Sequence, residues 1–242
     1  MLKYLAFAAL LGVAPLLAAQ AQTPTEPTSQ VRQVARFRGI RVGGGIGLTL
    51  TAGHEQRVEA SAATADFVKN LRTKVEDGVL VISYDDLLER DDRKLMRTDH
   101  KLRVAVTADY LTSLVVNSGA TATATGNFAA PDCVLDVTSG AVLTATDLAP
   151  NVLIVRENNG STVTLSGTAP RLDVRTNGGS TFDGQKLQST TCQVEANGGS
   201  TARVAVSKDL LIEATGGSVV RYYGSPTVSK DLSGGSTAGA KN

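Results

Sequence analysis

The chain has 242 residues, with 24 Lys plus Arg against 23 Asp plus Glu and a formal net charge of +1. That balance leaves no basic excess for nucleic acid or anionic lipid. Trp is absent and aromatics make up 4% of the chain, which argues against a deep aromatic platform for sugars. Two His far apart and two Cys, without His-x-x-x-His or Cys-x-x-Cys spacing, argue against a zinc site, and no cofactor is expected.

In chain order, Lys3 precedes an apolar run from Leu5 to Ala18, followed by the small-x-small site Ala19-Gln20-Ala21. This is the pattern of a signal peptide over 1–21, so the protein is expected to be exported to the periplasm, cell surface or exterior. The alternative is a membrane anchor, for which the run falls short of the ~18 to 20 apolar residues needed to span. Residues 22–34, rich in Thr, Pro and Ser, read as an exposed leader. A β domain is expected over 35–237, with a short tail at 238–242. Its first part is irregular. Ile40-Arg41-Val42, Leu48-Thr49-Leu50, Val58-Glu59-Ala60, Val79 to Ile82 and Leu102 to Val106 read as strands. Gly43-Gly44-Gly45 and Glu76-Asp77-Gly78 read as turns, the first lacking the Lys-Ser/Thr of a phosphate loop. Ala62 to Leu71 reads as a short helix or an irregular excursion. Residues 85–101 form a charged insert in which Asp85, Asp86, Asp91 and Asp92 stand among Arg90, Arg93, Lys94 and Arg97.

The second half repeats. A Gly followed by a small residue recurs at Gly119, Gly140, Gly160, Gly179, Gly199, Gly217 and Gly235, roughly every twenty residues, which marks a stacked architecture. Five residues before these glycines stand Leu114, Leu135, Val155, Val174, Val194 and Ile212. Three residues after them stand Ala122, Leu143, Val163, Phe182, Ala202 and Val220. The flanking positions are polar, so each repeat reads as strand, tight turn, strand, with one buried face. The fold class predicted is all-β: a β-solenoid, or single-stranded β-helix, with coils of about twenty residues and less regular N-terminal coils. A meander of hairpins built on Asn-Gly turns is the competitor. The solenoid predicts a column Asn158, Asn177 and Asn197 with hydrogen bonds running along the axis. It also places Leu153, Leu172 and Leu210 on one interior line.

Cys133 and Cys192 fall on that same line, three coils and about 14 Å apart, too far for a disulfide. Two free buried thiols are expected, although an exported chain would ordinarily favour the bond. Asp136, Arg156, Arg175, Glu195 and Glu213 form an outward column whose exposed pairs contribute ~0 to 1 kcal/mol each.

The segments Phe37-Arg-Gly-Ile-Arg-Val, Gly45-Ile-Gly-Leu-Thr-Leu, Val58-Glu-Ala and Val75-Glu-Asp-Gly-Val-Leu-Val-Ile82 resemble the opening of head GIN domain proteins. These form the putative auto-transporter adhesin family, also described as a domain of unknown function. Leu111 to Ala120 and the Asn-Gly-Gly-Ser-Thr repeats fit the same family. The resemblance implies an exported bacterial β-helical protein. It supplies no catalytic residue. The charged insert is a departure from the pattern, as is the lack of alternating strands for a membrane barrel.

Function is read as non-catalytic and adhesin-like: a polar repetitive surface meeting envelope glycan or protein. The surface expected to carry it is Asn158, Asn177 and Asn197, Ser161, Ser180 and Ser200, and Thr162, Thr181 and Thr201, with the insert adding specificity. One rival is a carbohydrate-active β-helix, a polysaccharide lyase or hydrolase using paired carboxylates from the insert or Asp173 with Asp183. The other is a purely structural envelope protein.

Overall fold

The computed structural model describes residues 28–85 and 100–241. Alternation of apolar and polar residues sets the strands. In chain order they are β1 (Thr28–Arg32), β2 (Gly39–Val42), β3 (Gly47–Ala52), β4 (Arg57–Ala62), β5 (Leu71–Glu76), β6 (Val79–Tyr84) and β7 (Arg103–Ala108), with helix α1 (Ala65–Asn70) before β5. The regular part follows: β8 (Ser113–Val116), β9 (Thr121–Thr125), β10 (Asp132–Thr138), β11 (Val142–Leu148), β12 (Val152–Asn158), β13 (Thr162–Thr168) and β14 (Arg171–Thr176). It ends with β15 (Thr181–Ala196), β16 (Thr201–Ala214), β17 (Val219–Tyr223), β18 (Thr227–Leu232) and β19 (Thr237–Ala240).

These strands wind into two parallel sheets. One stacks β6, β2, β8, β10, β12 and β14, then the C-terminal halves of β15 and β16, then β18. The other stacks β7, β3, β9, β11 and β13, then the N-terminal halves of β15 and β16, then β17 and β19. Every pairing from β8 onward is parallel, so the chain is a β-solenoid and the hairpin meander is excluded. Leu153 pairs with Leu172, Leu172 with Cys192 and Cys192 with Leu210, each 5% exposed or less. The predicted interior line therefore exists, and Leu143, Val163, Phe182 and Ala202 make its counterpart in the facing sheet.

The turns at the end of the first strand of each winding take two consecutive left-handed residues, such as Gly178 (φ 64) and Gly179 (φ 75), or Asn159 (φ 57) and Gly160 (φ 71). Only Gly, and at some cost Asn or Ser, holds that backbone without a clash, which is why the repeat is punctuated there. Stacking adds a second constraint at Gly234, where a Cβ would lie 2.8 Å from the backbone nitrogen of Gly216.

The N-terminal windings are stacked out of chain order. The winding β6–β7 comes later in sequence than β2–β3, yet it lies at the end of the rod, and β2–β3 sits between it and β8–β9. Between β3 and β6 the chain leaves the rod and builds a cover. β5 pairs antiparallel with β6, β4 with β7 and β1 with β4, so the terminal edges are closed. α1 packs Phe67 and Val68 beneath this cover, with Thr64 accepting from the Phe67 backbone at its start. Ala62 to Leu71 thus contains a helix. Of the leader expected over 22–34, Thr28–Arg32 is a strand and Val34 packs against the core, and the tail expected at 238–242 contributes to β19. At the far end Lys230 stands where Ile212 stands one winding earlier, and an inward-register charge blunts that edge against pairing.

Candidate interaction faces

Inward positions on both sheets are mostly apolar. Outward positions are free of packing, and the two sheets use that freedom differently.

The sheet containing β10, β12 and β14 carries charge. Its outward register row runs Asp136, Arg156, Arg175, Glu195 and Glu213, as expected. Arg175 approaches Glu195 at 3.8 Å and Asp173 at 3.6 Å. Beside this row lies an open trough of about 410 Å³ crossing β14, β15, β16 and β18. Arg171, Asp173, Gln193, Asp209 and the exposed Leu211 line it. At the turn edge of the same sheet the asparagine column is a hydrogen-bonded ladder. Asn177 Nδ2 donates to Asn158 Oδ1 at 3.2 Å and Asn197 Nδ2 to Asn177 Oδ1 at 2.9 Å. Thr215 Oγ1 donates to Asn197 Oδ1 at 2.6 Å. Each amide offers both a donor and an acceptor, so identical side chains one winding apart satisfy one another in a line.

The serines behave otherwise, and the expectation of a surface role for them is corrected. Ser161, Ser180 and Ser200 are at most 1% exposed. The residue after the left-handed pair turns back into the core, and its hydroxyl closes the turn: Ser180 Oγ donates to the Asn177 carbonyl at 2.8 Å and Ser200 Oγ to the Asn197 carbonyl at 2.7 Å. Ser161 Oγ reaches the Val137 carbonyl at 2.9 Å. They are turn staples and cannot touch a partner.

Thr162, Thr181 and Thr201 stand in one register row on the outer surface of the other sheet, partly exposed. The earlier strands of that sheet add a pattern that no single strand displays. β9 reads Thr121-Ala-Thr123-Ala-Thr125, β3 carries Thr49 and Thr51, and β11 carries Thr144 and Thr146. The alternating threonines were visible in the sequence. That they align across strands required the register.

Of the insert, Asp85 lies within the described residues, where Arg72 Nη2 donates to its Oδ2 and its backbone N–H reaches the Asn70 carbonyl at 3.0 Å. Asp86, Asp91 and Asp92 lie outside the described residues. Asp173 and Asp183 do not form a catalytic pair. Asp173 lies on β14, facing outward from one sheet, and Asp183 on the β15 half that belongs to the other, with Arg203 at 3.8 Å. Among the described residues no group of three or more His, Cys, Asp or Glu is placed to hold a metal, and no helix is long and apolar enough to cross a membrane.

Cys133 and Cys192 are both free thiols. Cys192 is buried, whereas Cys133 is only half-buried, a departure from the expected pair of buried thiols. Burial pushes the Cys133 thiol up to about 12, and burial with the nearby Asp173 charge raises that of Cys192 further, so both stay protonated and unreactive. The interior also holds one ionisable side chain that periodicity did not flag. Glu157 is fully buried between Val137 and Thr176, and neither carboxylate oxygen has a hydrogen-bond partner. Burial pushes its carboxyl up to about 8.

The fold and these faces define a two-sheet parallel β-solenoid whose chemistry lies on its outer columns. The family model described as "Putative auto-transporter adhesin, head GIN domain" matches residues 36–226, and the chain belongs to that family. No curated protein sequence matches it. Solved structures share the architecture at low identity. A putative adhesin from Bacteroides fragilis is 17% identical with a TM-score of 0.78, over 90% of this chain and 97% of that one. A putative lipid binding protein from Parabacteroides distasonis is 12% identical with a TM-score of 0.68, over 89% and 97%. A putative adhesin from Parabacteroides merdae is 16% identical with a TM-score of 0.66, over 90% and 97%.

Proposed function

We propose that the protein is an exported, non-catalytic, adhesin-like module whose charged face meets envelope glycan or a neighbouring surface protein. The observation that carries this reading is the ladder Asn158–Asn177–Asn197–Thr215, which holds polar side chains in a fixed line along the turn edge of the charged face. A long row of polar groups at one repeat gains affinity from many weak contacts, and its rigidity lowers the ordering cost of each. Family membership and the adhesins of like architecture support the class. The apolar run and cleavage pattern of 1–21 support export, to the periplasm or the cell surface.

Glycan arrays and envelope-protein crosslinking with the exported chain test the proposal. Binding that falls about tenfold in Asn177→Ala or in Asp209→Ala, the latter in the trough, supports it. Binding untouched by both variants, or no binding at all, overturns it. Release of reducing ends or unsaturated products from polysaccharide would instead favour the carbohydrate-active reading.

A further inference from the structure

The outer surface of the second sheet differs from that of the first. On β3, β9 and β11 the outward residues include Thr49 and Thr51, Thr123 and Thr125, and Thr144 and Thr146. Their register is direct: Thr49 pairs with Thr123, Thr123 with Thr144, Thr51 with Thr125 and Thr125 with Thr146. Thr107 on β7 extends one column and Thr164 on β13 the other. The result is a two-dimensional grid. Its repeat is about 4.8 Å between strands and about 6.7 Å along each strand, as parallel sheet geometry requires.

Three further observations separate this grid from ordinary strand composition. Threonine favours strands, which accounts for its abundance but not for the rest. Among the outward positions of β3, β9, β11 and β13 there is no aromatic side chain, and the one charged residue, Asp147, stands at the irregular end of β11, past Thr146. Charge begins at the borders, with Arg103 on β7 and with Asp183 and Arg203 on β15 and β16. Moreover, among the described residues none of these six threonine hydroxyls is engaged by a protein group, whereas Ser161, Ser180 and Ser200 all are. The grid therefore presents unpaired hydroxyls, each beside a methyl, on a backbone held rigid by ladders on both sides.

We propose that this threonine face binds ice. A flexible glycan is held by polar and charged groups along a track, such as those of the first sheet, and the threonine grid itself carries no charge. A crystalline water lattice needs the opposite: neutral, evenly spaced hydroxyl and methyl groups that hold a fixed first layer of water. The grid repeats in two directions at intervals close to the oxygen spacings of hexagonal ice. Many weak contacts made at once by a preorganised surface then suffice, because no side chain or loop has to be ordered on contact. The inference goes beyond the charged-face proposal and involves none of its residues.

The experiment is partition of the exported chain into slowly growing polycrystalline ice, with ice shaping viewed by nanolitre osmometry. Wild type is expected to enrich in the ice about tenfold over an inert protein of similar size. Thr123→Lys places a charge at the centre of the grid, and Thr125→Tyr keeps a strand-favouring residue while breaking the plane. Both should lose that enrichment, with unfolding midpoints near wild type confirming the fold. Glu195→Lys on the opposite face should retain it. Exclusion of wild type from ice, or enrichment unchanged in both threonine variants, overturns the proposal. So does retention on microcrystalline chitin or cellulose without any partition into ice. Loss of glycan binding in Asn177→Ala with ice partition intact would bear on the charged face alone.

Discussion

The charged and threonine faces ride on the same windings, and often on two strands joined by one turn. Their undersides are interchangeable in kind: Leu153, Val155 and Leu172 beneath one, Leu143, Val163 and Leu165 beneath the other, all buried. Their outer sides have nothing in common. On one, Arg175 lies between Asp173 and Glu195. On the other, Thr123 lies between Thr49 and Thr144. Packing dictates the inner columns of a solenoid and leaves the outer ones open, so the outer columns are where two such faces become distinct. Exposed charge pairs add little stability, and neither does an exposed threonine, so stability alone does not explain the difference.

The sharpest break in that comparison comes from neighbouring residues on β11. Leu143→Ala removes a fully buried side chain and should cost about 2–5 kcal/mol. Thr144→Ala, one residue on and facing outward, should stay within about 0.5 kcal/mol while weakening ice partition. Chemical denaturation of both variants checks this. Equal losses would mean that the outer grid is structural.

Next in size is Glu157, hidden beneath the charged face. Its folded carboxyl lies near 8 against an ordinary value of 4.5, so the folded state holds the proton more tightly than the unfolded one. The stability this contributes is fully present below the ordinary value and is lost as pH rises through about 8. The loss is on the order of a few kcal/mol, at about 1.4 kcal/mol per pH unit. Glu157→Gln should flatten that slope across pH 5 to about 9. An unchanged pH profile of the unfolding midpoint in the variant would mean that the carboxyl is hydrated or paired in solution.

The smallest effects distinguish the two rows of the charged face. Asn177→Ala breaks two ladder hydrogen bonds and should cost about 1 kcal/mol. Arg175→Ala, half-exposed, should cost no more than about 0.5 kcal/mol and less in high salt. Equal, salt-insensitive costs would remove the energetic distinction between ladder and charge row.

Local pattern was enough for much of this molecule. The glycine spacing, the left-handed turn residues and the apolar columns at fixed offsets led to the solenoid, the interior leucine line and the asparagine ladder. Each depends on nearest windings that follow one another in the chain. The free cysteines followed from the same arithmetic. The serines were misplaced because one residue after a left-handed pair decides whether a side chain points in or out, and composition is silent on that turn.

The sequence alone determined the apolar columns that face the core and where the chain turns, because strand periodicity and backbone sterics act within a few residues. Tertiary structure decided the rest. It placed β6–β7 outside β2–β3, folded β1, β4, β5 and α1 into a cover, separated Asp173 from Asp183, and brought Thr49, Thr123 and Thr144 into one column. Those outcomes depend on which strand edges meet across long stretches of chain. Edge pairing is set by the geometry of the whole stack, and no local run of residues encodes it.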